Sequence, residues 1–174
     1  MKYVLLIIVV AVVLVGIVVL IGALLPKSHV ASRRAQFKQP PGMIWEAITD
    51  YAGAVAWRPE LKAVDRLPDR DGRPVWREVD KHGQAMPLET IEATPPRRLV
   101  RRIADPDLPF GGSWTYEVGP VESGSRLTIT EDGEVYNPIF RFASRFIFGH
   151  TATIDGYLKA LGKKFGEEVT ISSA

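Results

Sequence analysis

The chain has few residues equipped for chemistry. Among its 174 residues there are three histidines and no cysteine, which excludes thiolate nucleophiles, disulfides and Cys-ligated metals. His150 falls with Ile147, Ile154, Leu158, Leu161 and Phe165 at three- and four-residue steps, the one imidazole on an apolar helical stripe. Imidazole titrates near neutral pH, so His150 is the candidate general acid or base, and that role requires a second group to orient it. A core histidine with its hydrogen bonds satisfied fits the same spacing. His29, beside the apolar N-terminal run, and His82, in a turn, are assigned no role. Glu78, Glu89, Glu131 and Glu134 come from several strands. Two carboxylates brought together can divide acid and base duties when their surroundings separate their pKa values. Outward-facing glutamates explain the same pattern. No His-x-x-x-His or comparable spacing occurs, so neither a metal nor another cofactor is expected. Phe110-Gly111-Gly112 lacks both phosphate-loop patterns; it reads as a mobile loop with glycine hinges at a cavity mouth, or as a tight turn into the next strand.

A basic-aromatic stretch follows later, where Phe140, Phe142, Phe146 and Phe148 are interspersed with Arg141 and Arg145. Such a segment can lie at the headgroup level of a membrane, or it can pack its rings beneath a sheet.

The elements that must position these residues are legible from hydrophobic period. Residues 29–38 alternate as a strand. Pro41 suits the first turn of a helix, in which Ile44, Ala47, Ile48 and Tyr51 share a face, and residues 52–58 form a second short helix or turn. From Leu61 onward the pattern is a meander. Turns are expected at 69–72, 81–83, 94–96 and 123–125, with a longer connection at 105–112. Between them lie alternating strands at 75–80, 85–93, 99–103, 114–118 and 127–131, five or six antiparallel strands of one twisted sheet. Asn137-Pro138 opens a long C-terminal helix, and a break near Gly149 is compatible with the low helix propensity of glycine.

Ahead of all this, an apolar run of 22 residues opens at Val4 and closes at Leu25. As a helix it would extend about 33 Å, matching the roughly 30 Å hydrocarbon core of a bilayer. Lipid leaves the backbone no other way to satisfy its hydrogen bonds, so the mediocre helix propensity of Val and Ile does not count against it. A cleaved signal peptide has a shorter apolar region of about 7–15 residues and a small-x-small cleavage site. Here the best downstream small residue, Ala31, has His29 in the minus-three position. The segment therefore reads as an uncleaved single-pass anchor. Lys2 alone precedes the run, whereas Lys27, Arg33, Arg34 and Lys38 follow it, which places the C-terminal side in the cytoplasm. Residues 1–27 are thus expected to be anchor and flanks, and 28–174 one folded domain. The chain's charge is nearly balanced, 22 Lys+Arg against 20 Asp+Glu, and implies no general attraction to nucleic acid.

The segments PPGMIWEAITDYAGAVAWRPELKAVDRL, PPRRLVRRI, GGSWTYEV and LTITEDGEVYNPIF, followed by the terminal helix, resemble the START-like or helix-grip superfamily (SRPBCC). Within it they resemble the polyketide cyclase/dehydrase and lipid-transport group, over about residues 30–168. The resemblance implies an α+β fold in which a curved antiparallel sheet wraps around the long C-terminal helix and leaves an internal apolar cavity. Members bind lipids, sterols, polyketides or hormones, and a minority catalyse reactions on them. It implies a pocket, not a reaction.

Strand alternation assigns the walls of that pocket. Leu127, Ile129 and Glu131 share one face, as do Trp114, Tyr116 and Val118, and Leu99, Arg101 and Ile103. With His150, Ile154 and Leu158 from the helix, the candidate ligand-binding set is Arg101, Trp114, Tyr116, Leu127, Ile129, Glu131, His150, Ile154 and Leu158. A buried charge must be paired, so Arg101 and Glu131 either pair inside and orient a ligand's polar end or reach the sheet rim and meet water. The functional expectation is a membrane-anchored binder of a lipid or other hydrophobic small molecule. The alternatives are a cyclase/dehydratase-type enzyme using His150 or a glutamate, and a non-catalytic interaction domain whose core is filled by its own side chains.

Overall fold

The unbroken apolar run becomes helix α1 (Lys2–Leu24) in the computed structural model, which describes residues 2–174, the Phe148 side chain excepted. The helix is long and apolar enough to cross a membrane, and no residue of its most apolar stretch is buried. Pro26 prevents its continuation, and β1 (Ser28–Phe37) starts almost at once. Helix α2 (Pro41–Thr49) begins on the expected proline and turns Ile44, Ala47 and Ile48 inward, and a 3-10 turn (Ala52–Ala56) follows. The meander then runs β2 (Leu61–Arg70), β3 (Arg73–Asp80), β4 (Ala85–Thr94), β5 (Arg98–Ile103), β6 (Phe110–Val121) and β7 (Gly124–Val135). After α3 (Pro138–Ala143) and a π-helical turn (Ser144–Phe148) come α4 (Ala152–Lys164) and a short β8 (Ile171–Ser173).

The strands form one antiparallel sheet in the order β2-β3-β4-β5-β6-β7-β1-β8. Every meander strand pairs with its sequence neighbour, and β1 returns to close the far side against β7. The inward faces are those that alternation assigns. Leu99, Tyr116, Val118, Leu127 and Ile129 are buried against Ile154, Leu158 and Leu161 of α4 and Ile44 and Ile48 of α2. Burying each large aliphatic side chain contributes about 1.5–3 kcal/mol, which secures α4 in the grip of the sheet. The fold is α+β and helix-grip, with the apolar helix α1 in front.

Two expectations need correction. Phe110-Gly111-Gly112 is neither loop nor turn: Phe110, Gly111 and Gly112 pair with Val135, Glu134 and Gly133, extending β6. Gly112 has φ +126°, and a Cβ there would strike the backbone of Asp132 and Gly133, so glycine marks a close strand approach. His150 does not sit on the apolar stripe of the C-terminal helix, which breaks near Gly149 as expected. Gly149 has φ +72°, α4 begins only at Ala152, and His150 lies in the break. The structure also adds β8, which pairs with β1 at Arg33–Ala35, an edge strand that its short, polar sequence does not announce.

Candidate functional site

The inner end of the grip is polar. Glu78, 4% exposed on β3, accepts a hydrogen bond from Arg101 Nη1 at 2.6 Å and another from Arg58 Nη1 at 2.7 Å. Arg58 also reaches Glu60 at 2.6 Å. Around this ion triad stand aromatic rings. The Arg101 guanidinium lies 4.2 Å from the Tyr51 ring centroid and that of Arg58 5.2 Å from Tyr157, distances at which a cation is attracted to the ring face. Tyr157 meets Trp57 edge-on at 5.2 Å and Tyr116 at 5.6 Å. Nε and Nη2 of Arg101 are buried with no hydrogen-bond partner among the described residues.

Electrostatics follow from this packing. Burial alone would push the Glu78 carboxyl up, but Arg101 and then Arg58 outweigh it and hold it below the usual carboxylate range. Burial works against the Arg58 charge in the same way, and Glu78 leads the groups that more than compensate. Tyr116 is pushed up to about 12 and Tyr157 well above its ordinary value, in both cases chiefly by burial. Both phenols stay protonated donors at neutral pH.

Two adjoining spaces open beside the triad. A chamber of about 50 Å³ is lined by Trp114, Tyr116, Ile129, Ile154, Leu88 and Met86. An open cleft of about 600 Å³ lies outside it between the start of α4 and β3–β4, with Pro59, Leu61, Phe110, Ala152 and Gly156 on its walls. Arg58, Glu78, Met86, Thr153 and Tyr157 border both. The chamber is large enough for water but not for an acyl chain or a ring system; the cleft falls within the roughly 300–1,000 Å³ typical of small-molecule sites.

The sequence-derived set divides accordingly. Trp114, Tyr116, Ile129 and Ile154 line the chamber, and Arg101 stands behind Glu78. Leu127 and Leu158 are fully buried core residues away from its wall. The pairing of Arg101 with Glu131 does not occur, and neither does escape of Arg101 to the rim, because strand β3 supplies Glu78 at the Arg101 end. Glu131 instead receives Trp114 Nε1 at 3.0 Å and lies 3.2 Å from His29 Nε2. The His29 ring stacks on His150 with centroids 3.9 Å apart. Burial, and then His29, lowers the His150 pKa, with Glu131 opposing. His150 is thus outside the cleft, against the start of β1 just after α1.

Sequence spacing does not single out Arg58, Tyr51, Tyr157 or His29 as site residues. Tyr157 carries a signal, three residues beyond Ile154 on α4. For Arg58 and His29 only tertiary placement brings the partner close: His29 faces Gly133 across the β1–β7 ladder, so its ring reaches the neighbouring Glu131. The remaining glutamates do not combine. Glu89 is buried on the other face of the sheet between Arg73 at 3.2 Å and Arg102 at 3.0 Å, and Glu134 accepts from Tyr136 at 2.8 Å. Among the described residues these four carboxylates form no acid pair.

No curated protein matches the chain in sequence, but solved structures share its fold. A START superfamily protein from Mycobacterium smegmatis superposes with a TM-score of 0.62 at 19% identity, covering 78% of this chain and 96% of its own. The Zhui aromatase/cyclase from Streptomyces sp. R1128 gives 0.61 at 15% identity over 79% and 93% of the two chains. The di-domain ARO/CYC BexL of the BE-7585A biosynthetic pathway gives 0.62 at 16% identity, covering 83% of this chain and 51% of that one. A family model described as polyketide cyclase/dehydrase and lipid transport matches residues 28–165. With its sheet gripping α4 and the whole span from β1 to the end of that helix accounted for, the chain belongs to the polyketide cyclase/dehydrase and lipid transport family.

Proposed function

We propose that this protein is a membrane-anchored START-like domain that binds a hydrophobic small molecule carrying one polar group. The observation that carries the reading is the cleft of about 600 Å³, where Pro59, Leu61, Met86 and Phe110 give an apolar wall beside Arg58, Glu78 and Tyr157, with Glu60, Asp80 and Gln84 also on the lining. An apolar body would rest against Pro59, Leu61, Met86 and Phe110. Its polar end would meet the guanidinium and phenol donors at the floor. The chamber behind the floor is too small to take the ligand itself, so binding is assigned to the cleft and not to the deep interior. The soluble domain is read as cytoplasmic.

Gly156 supplies the test. It is exposed on α4, and a Cβ there meets nothing within 4 Å, so Gly156→Leu projects into the cleft without disturbing the core. Leucine also improves helix propensity by up to about 0.8 kcal/mol, and stability should hold or rise. Full-length protein purified in mild detergent should release a small apolar molecule on native mass spectrometry, and Gly156→Leu should reduce its occupancy at least tenfold. Undiminished occupancy would remove the cleft as the site. His150→Gln serves as the control for an enzyme: it should leave the bound molecule chemically unchanged. Conversion of the ligand by wild type, lost in that variant by about 10²–10⁴-fold in rate, would establish acid–base catalysis instead.

The anchor has its own expected result. Full-length protein should stay with membranes through high-salt and alkaline washing, because 22 consecutive apolar residues hold to lipid far more firmly than a basic patch. Release by either wash, or a mature N-terminus near Ser32, would show that α1 does not serve as an anchor.

A further inference from the structure

The end of α1 is built into the domain. Gly22 is buried, and a Cβ on it would run into the Pro138 carbonyl. Arg141 on α3 donates from Nη1 to the Leu25 carbonyl at 2.8 Å, satisfying one of the orphan acceptors at the helix end. On the outer side of the same α3 segment, Ile139, Phe140, Phe146 and Ile147 are exposed. Apolar and aromatic groups in this position, level with the last turn of a spanning helix, suit the interfacial layer of a bilayer.

Between α1, β1 and the α3 segment lies a pocket of about 390 Å³, bordered by Lys27, His29, Arg141, Arg145 and His150 together with the Leu25-Pro26 backbone turn. Among the described residues no carboxylate lines it, and none of Lys27, Arg141 and Arg145 has an ion-pair partner. Arg141 is 8% exposed, and its Nε is buried with no hydrogen-bond partner. A buried guanidinium with an unused donor is costly unless an anion completes it. Glu131 is the one nearby acid, engaged beneath the pocket by His29 and Trp114. Asp132 and Glu134 line a cleft on the opposite face of the sheet.

We propose that this juxtamembrane pocket binds a phosphate group, with Arg141, Arg145 and Lys27 as its ligands and the stacked His29–His150 pair as its wall. Arginine's fork of donors matches phosphate oxygens in pairs. Basic pockets beside spanning helices at the membrane surface are suited to phospholipid headgroups. The pocket sits where the headgroup layer must be if α1 spans, so the lipid form of the proposal rests on the anchor reading. A soluble phosphate is the other source of the same chemistry.

The experiment uses full-length protein in nanodiscs of phosphatidylcholine mixed with phosphatidylglycerol, with lipid retention read by native mass spectrometry. Parallel titrations with inorganic phosphate in lipid-free detergent follow the His150 imidazole signals by NMR. Lys27 and Arg145 are exposed, so Lys27→Ala and Arg145→Ala should fold normally, whereas Arg141→Gln tests the buried ligand. Wild type should retain phosphatidylglycerol, and each exposed substitution should weaken retention about fivefold, the size expected of one basic side chain near an anionic headgroup. If inorganic phosphate alone shifts His150, with the same dependence on Arg145 and no lipid selectivity, the site is a phosphate site of soluble source. Lipid retention and phosphate response that are both unchanged in Lys27→Ala, Arg145→Ala and a folded Arg141→Gln would overturn the proposal. Alkaline-wash resistance of the same variants reports separately on the anchor, so failure of the pocket and failure of the anchor give different results.

Discussion

Arg101→Met should destabilise the domain by up to about 3–5 kcal/mol, the upper bound being the cost of leaving a buried charge wholly unpaired. Methionine keeps the packing of the aliphatic stem but removes the charge that lies 2.6 Å from Glu78. Glu78 would then depend on Arg58 alone, in a site where it is 4% exposed. Equilibrium denaturation of the full-length protein, followed by near-ultraviolet circular dichroism, measures the loss. The double variant Arg101→Met/Glu78→Leu should recover more than half of it, because two apolar groups need no charge compensation and Arg58 retains Glu60. A single variant that costs under about 1 kcal/mol, the scale of a surface pair, would show that the triad is open to water.

Acid should expose the same triad. Glu78 has a folded pKa below its ordinary 4.5, so its unfolded form binds protons first as pH falls. The stability it contributes is fully present above pH 4.5 and is lost as pH drops from there through the depressed folded value. In Glu78→Gln that part of the acid sensitivity should vanish while stability at neutral pH falls. Identical acid midpoints for wild type and Glu78→Gln would contradict the assignment.

Leu158→Ala should cost about 3–5 kcal/mol, toward the upper part of the range for buried leucine truncations. Leu158, on α4, is fully buried against the sheet and lies off the wall of the small chamber. The truncated site therefore becomes a new void instead of enlarging an existing space. The denaturant midpoint should shift with no change in the slope of the transition. A cost below about 2 kcal/mol would place a cavity next to Leu158 that its surroundings do not show.

The amount of cavity separates this chain from what the family resemblance implies. A helix-grip sheet leaves room for a ligand only where its inward side chains are small. Here Trp57, Tyr116 and Tyr157 meet ring to ring, and the Arg58–Glu78–Arg101 triad occupies the space beside them. The chamber beside them holds about 50 Å³, and the larger space lies outside it in the open cleft. Volume depends on how rings from different elements stack, and no single strand's pattern encodes that.

What the amino-acid order determined by itself was everything set by local period and local punctuation. The length and uniform apolarity of α1, Pro41 opening α2, the turns at 69–72, 81–83 and 94–96, and the inward faces of β5, β6 and β7 all follow from spacing within one element, where 3.6- and two-residue repeats decide which side chains meet solvent. The tertiary structure alone decided the partners across elements. Arg101 takes Glu78 and not Glu131, because the fold brings Glu78 and Arg58 to its end of the sheet. His29 finds Glu131 and His150 only through the β1–β7 register and the break at Gly149. The pocket beneath α1 exists only because Gly22 lets Pro138 approach and Arg141 ties α3 to Leu25. The partners in each case stand at least 20 positions apart in the chain. Their juxtaposition is fixed by the summed packing and pairing of the whole sheet, and no periodicity within a segment carries that information.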